Sequence, residues 1–172
     1  AHFAVGYWLT EKEVALEKAV MALKKALKLL KHPNPRDKPN NQPDREWRED
    51  LRVTKGRYLD TLGWALYKMG NHREAEDALQ RAATILDFDH RLFYHLGVLY
   101  EHQGLQEEAI NAYLRSVETG DEIQEANLSL KRLVTQSNVL HEDLHKYFAK
   151  QRVVTTFTDV TEKSGLAAIK GG

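Results

Sequence analysis

Cysteine is absent from the 172 residues, which excludes disulfides, thiol nucleophiles and cysteine metal sites and leaves the redox compartment open. No stretch approaches a run of 18 apolar residues, so no transmembrane helix is expected. Charge of one sign is lacking as well, since Lys and Arg number 25 and Asp and Glu also 25. The net basic charge that favours nucleic acid or an anionic membrane surface is missing, and neither partner is expected. Proline is confined to one place: Pro33, Pro35, Pro39 and Pro43 all fall in HPNPRDKPNNQPD. That stretch reads as a loop or linker, and nowhere else does a residue forbid helix. An initial Met and a signal-peptide pattern are also lacking, which suggests a processed or trimmed product.

What is present is an ordinary globular composition, 42% hydrophobic and 29% charged. Before the prolines, Val14, Leu16, Ala19, Leu23, Ala26, Leu27 and Leu30 recur at helical spacing. Thr10 and Glu13 stand where a capping box would open that helix. After the prolines, helical periodicity continues nearly to Lys150.

An internal repeat organises the middle of the chain. Placing Gly63 on Gly97 aligns Leu59 with Phe93, Leu62 with Leu96, Leu66 with Tyr100, Gly70 with Gly104, Ala75 with Ala109, Leu79 with Tyr113 and Ala82 with Ser116. The period is about 34 residues. Small residues at Gly63, Gly97, Ala75 and Ala109 would let paired helices approach, and Gly70 and Gly104 would end the first helix of each pair. In period and pattern this resembles the tetratricopeptide repeat family.

The resemblance implies an all-α fold, a right-handed α-solenoid of stacked helical hairpins, with a short extended C-terminal tail. Residues 1–32 form a truncated N-terminal repeat, 33–56 a Pro-rich insertion or linker, 57–120 the two clear repeats, and 121–150 a capping helical hairpin whose first helix carries Ile123, Leu128, Leu130, Leu133 and Val134. Residues 151–172 are the tail. In such arrays the first helices line a concave groove for a peptide or helix. By register the groove positions are Arg57, Asp60, Trp64, Tyr67 and Lys68 from one repeat, and Arg91, Tyr94, Val98, Glu101 and His102 from the next. Trp64, Tyr67 and Tyr94 would supply most of the contact area. The chaperone-adaptor variant of the family grips a carboxylate with Lys and Asn, and Asp60 and Trp64 at those positions argue against it.

His141, Glu142 and His145 spell H-E-x-x-H in VLHEDLHKYF, a spacing that can bind zinc on a helix. A third ligand is lacking, because the G-x-x-H continuation falls on Phe148 and Gln151, so a solvated helix is the expected reading. His95 and His102 lie one heptad apart, too far along a helix to share an ion unaided. Neither a metal nor a cofactor is expected, and no phosphate loop, nucleophile elbow or carboxylate pair argues for an enzyme. MALKKALKLLKH is a basic helical face able to touch phosphate, although such a face is usually solvated.

The tail RVVTTFTDVTEKSGLAAIKGG changes to alternating β-branched residues. FTDVTEKSGL resembles the opening of FG-GAP-type β-propeller domains, which implies continuation beyond Gly172 and a periplasmic or extracellular location, with the cytoplasm as the alternative. Together these readings predict a non-enzymatic protein-protein interaction scaffold for a protein or peptide partner, including as the adaptor section of a larger exported propeller protein. The alternative is a helical accessory domain or subunit of an enzyme complex, docked through the Pro-rich insertion. No membrane insertion is expected.

Overall fold

The computed structural model describes residues 2–119 and 124–136. Seven α-helices follow one another among them: α1 (His2–Glu11), α2 (Leu16–Lys31), α3 (Asp44–Lys68), α4 (His72–Ala83), α5 (His90–His102), α6 (Gln106–Thr119) and α7 (Gln124–Gln136). A single 3-10 turn, Pro35–Asp37, sits in the Pro-rich stretch, and no strand occurs among the described residues. α1 packs on α2, α3 on α4 and α5 on α6, with α7 against α6, so the chain is an all-α stack of consecutive hairpins. The odd-numbered helices also meet in order, α1 on α3 and α3 on α5, and together make one wall of the stack. The HEDLH motif and the tail lie outside the described residues.

Each hairpin closes on a glycine. A Cβ on Gly63 would stand 2.5 Å from Leu79 Cγ, and one on Gly97 would stand 2.5 Å from the Tyr113 ring. The aligned pairs Gly63/Gly97 and Leu79/Tyr113 therefore meet each other, which is why the small residue and the large one recur together. Gly6 repeats the arrangement in the first hairpin, where a Cβ would lie 2.6 Å from Leu23 Cγ. Gly70 and Gly104 lie just past α3 and α5 with φ of 79° and 75°, a region disfavoured for residues with a Cβ. Gly70 N–H donates to Tyr67 O and Asn71 N–H to Leu66 O, each at 2.9 Å, satisfying two carbonyls that the helix end leaves free. The same two bonds recur after α5, from Gly104 to Glu101 and from Leu105 to Tyr100.

The core runs between the hairpins as three linked clusters. Val20 and Leu23 of α2 pack on Leu62, Ala65 and Leu66 of α3 and on Ala75 and Ala78 of α4. Leu59 and Leu79 join Leu92, Phe93, Leu96 and Leu99 of α5. Tyr113 and Ile110 of α6 pack on Ala126, Leu130 and Leu133 of α7. Each large side chain buried in this way contributes about 1.5–3 kcal/mol relative to exposure.

Three local features depart from expectation. Thr10 does not cap α2; it is buried inside α1, and its hydroxyl donates to Gly6 O at 2.8 Å. α2 begins instead after Ala15, which has a left-handed φ of 47° and no side-chain cap. α3 reaches back to Asp44, well into the stretch assigned to the linker, because the last proline is Pro43 and nothing after it breaks a helix. Leu128, placed among the core residues of the final hairpin, is 66% exposed.

Candidate functional site

The wall made by α1, α3 and α5 carries an aromatic cluster on α3 and α5. Trp64 lies at its centre. Its ring stacks on Tyr67 at 5.1 Å and on His95 at 4.2 Å, and Tyr94 tilts toward it at 6.3 Å. Lys68 Nζ stands 5.1 Å from the Trp64 ring and is held there by Glu13 at 2.9 Å and by the Thr10 carbonyl at 3.2 Å. These contacts hold the indole in place and leave it half-buried. Tyr67 continues the surface to His102, edge-on at 5.9 Å, and His102 stacks on His72 at 4.1 Å.

Asp60 is not a surface position. It is 6% exposed and lies 2.7 Å from Nδ1 of His95, itself 5% exposed. The pair ties α3 to α5 beneath the indole. The two residues are 35 apart, one repeat plus one residue, and so lie at the same level of neighbouring first helices.

The remaining expected positions divide in two. Arg57 and His102 are exposed, and Arg91 is exposed with its guanidinium donating to Tyr7 Oη at 2.8 Å. That bond joins α5 to α1 across the wall and holds the guanidinium firmly charged. Val98 and Tyr94 turn toward the α6/α7 cluster, so part of each is spent on packing. Glu101 accepts from Tyr113 Oη at 3.1 Å and pairs with Arg132 of α7 at 2.5 Å. Trp64, Tyr67, Lys68, Tyr94 and His102 are thus brought together, whereas Asp60 and Glu101 serve as internal ties. Tyr7, Phe3 and Tyr58 were missed; Phe3 stacks on Tyr58 at 4.1 Å and tilts toward Tyr7 at 5.9 Å, a second aromatic group that joins α1 to α3. For Phe3 and Tyr7 the truncated first helix offered no aligned repeat from which to read them.

Burial raises the phenol pKa of Tyr58, Tyr67, Tyr94 and, most strongly, Tyr113. These phenols therefore stay protonated beyond the usual tyrosine range. No group of three His, Asp or Glu able to hold a metal occurs among the described residues, and no helix there is long and apolar enough to cross a membrane.

A family model described as "Bacterial transcriptional activator domain" matches residues 2–123. No curated protein and no solved structure matches the chain. The family match corrects two expectations. The first is the general interaction scaffold for a peptide or helix, together with its exported-propeller and enzyme-subunit variants; the matched domain is one of transcriptional activation and is not an enzyme. The FG-GAP resemblance of the tail falls outside the matched residues. The second is the exclusion of nucleic acid, because activation of transcription is exerted on DNA. A zero net charge speaks to long-range attraction of the chain toward a polyanion, not to whether the protein works at a promoter.

Proposed function

Since this chain belongs to the bacterial transcriptional activator domain family, we propose that it is the helical effector module of an activator acting on DNA together with RNA polymerase. The observation that carries this reading is the extent of the match: residues 2–123 run through α1 to α6 without interruption and include the whole aromatic wall. The three hairpins and the Pro-rich connection then form one working module, with α7 as its closing helix.

We assign contact with the transcription machinery to the wall of α1, α3 and α5. Trp, Tyr and Arg are the residue types that carry most binding energy at protein interfaces, since they bury large area with few rotatable bonds to freeze. Trp64, Tyr67 and Tyr94 supply that area here, and Arg57, Arg91, Lys68 and His102 surround it with positive or polar groups. Asp60 and Glu101 act as positioning residues, the first through His95 and the second through Tyr113. The module reaches DNA through the complex assembled at the promoter, because its balanced charge gives it no long-range pull on the duplex.

A reporter experiment tests the proposal. The full chain is fused to an unrelated DNA-binding domain whose operator lies upstream of a weak bacterial promoter. Expression several-fold above that of the DNA-binding domain alone is expected, and W64A/Y94A should abolish the gain at equal fusion level. A reporter unmoved by the intact fusion, present in soluble and helical form, contradicts the assignment.

A further inference from the structure

Helix α2 carries five lysines against one carboxylate, Glu17. Lys24, Lys28 and Lys31 recur at i, i+4 and i+7, a line about 10 Å long on the side of α2 that is turned toward α4. Lys55 of α3 and Arg73 and Arg81 of α4 border the same face, which lies on the opposite side of α3 from Trp64. All six cations are exposed. The leucines beneath them are not: Leu59, Leu62 and Leu66 are 2%, 6% and 2% exposed and belong to the packed core. The face therefore offers a partner charge and no apolar anchor.

Two carboxylates, Glu74 and Asp77, stand among the six cations, which leaves a surplus of four positive charges. Lys24 pairs with Glu74 and Arg81 with Asp77, each at 3.0 Å. Lys28, Lys31, Lys55 and Arg73 have no ion-pair partner among the described residues. The zero net charge of the chain is thus unevenly spread. Charges more than about 10 Å away are largely screened at 0.1 M salt, so at contact it is the face and not the sum that acts. Duplex DNA matches such a face, with one phosphate charge per about 1.7 Å of its axis and no demand for apolar contact. A membrane fits less well, because none of the apolar side chains among these cations is exposed to enter lipid.

We infer that this face of α2, α3 and α4 lies on the phosphate backbone of duplex DNA, without regard to base sequence, once polymerase has brought the chain to a promoter. The choice of DNA among polyanions rests on the activator reading; the cationic face itself does not. Because it is turned away from Trp64, polymerase on the aromatic wall leaves it open to the duplex.

Fluorescence anisotropy on the full chain tests this with two short labelled duplexes of unrelated sequence, at salt between about 50 and 200 mM. Poly-glutamate and phosphatidylglycerol vesicles serve as comparisons. Both duplexes should bind alike, with log K falling against log salt at a slope of about −3.6, the value for four unpaired cations. K28Q/K55Q should lessen that slope by about 1.8 and weaken binding at least tenfold at the lowest salt, with its helical circular dichroism unchanged. Should that variant lose helicity, K31Q/R73Q replaces it. W64A/Y94A should leave duplex binding unchanged, so the two surfaces fail separately. Polymerase capture without duplex binding sinks the cationic face alone, and duplex binding without polymerase capture sinks the activator reading alone. The inference is overturned by absence of saturable duplex binding at the lowest salt, or by affinity and slope untouched in the charge-removing variants. Tighter binding of poly-glutamate or of the vesicles through the same lysines overturns it as well.

Discussion

At the scale of single residues, this molecule is governed by a few places where two side chains cannot both be large. Gly97 and Tyr113 are one such pair, with no room for even a Cβ. Gly97→Leu should therefore destabilise by about 3 kcal/mol or more, at the upper end of overpacking costs, whereas Gln106→Ala on the exposed start of α6 should change the melting temperature by less than a degree or two. Thermal denaturation of the two variants checks this, and equal melting temperatures would place Gly97 outside a helix contact. A different cost attaches to Asp60. Its carboxylate is the partner of a buried imidazole, so Asp60→Ala leaves His95 unsatisfied and should cost about 1–3 kcal/mol. The variant should also loosen Trp64, which stacks on that ring at 4.2 Å, and indole fluorescence would report the change. Gly63, Gly97, Gly70 and Gly104 were legible in the sequence because each occurs twice in register. Asp60 and His95 were not, because a buried polar pair leaves no periodic trace; Asp60 was read as a groove residue for occupying the right turn of the right helix.

At the scale of elements, helix ends and shared cores decide what is stable. α5 begins at a true cap: the Asp89 side chain accepts from Leu92 N–H at 3.1 Å. Asp89→Ala should cost about 1 kcal/mol, visible as a lower urea midpoint with an unchanged slope. The tyrosines buried between helices link stability to pH. Their folded pKa values lie above the unfolded value, so the contribution of Tyr58, Tyr67, Tyr94 and Tyr113 is fully present below about pH 10 and is lost as pH rises beyond it. Alkaline unfolding should set in above pH 10 together with a cooperative rise in tyrosinate absorbance, and Tyr113→Phe should reduce that rise. Gradual, unfolding-independent ionisation of all tyrosines near pH 10 would contradict the burial. Element existence could be read from apolar spacing, since a helix must cover one face. Element boundaries could not. Thr10 looked like a cap because Thr-x-x-Glu precedes an apolar run, yet α1 continues through it, and its hydroxyl bonds back to Gly6. The first turns of α3 were hidden because that arm is highly charged and only sparsely buried, so it presents little apolar stripe.

At the scale of the whole molecule, the stack of hairpins sets an aromatic cluster on the wall formed by the odd-numbered helices. The repeat made the stack legible, and with it the wall residues Trp64, Tyr67 and Tyr94. Biological purpose was not legible, because a helical stack serves many tasks and its residues carry no chemistry that names one. The expectation of a general peptide scaffold followed from the repeat alone, and the exclusion of nucleic acid followed from a charge sum that averages over faces. The measurement that tests the activator account most directly is the binding of purified bacterial RNA polymerase to the immobilised full chain. The account predicts saturable binding, weakened at least tenfold by W64A/Y94A, a loss of about 1.4 kcal/mol or more, in a variant that keeps its helical content. A folded chain that captures no polymerase, or one whose binding is indifferent to both aromatic residues, contradicts it.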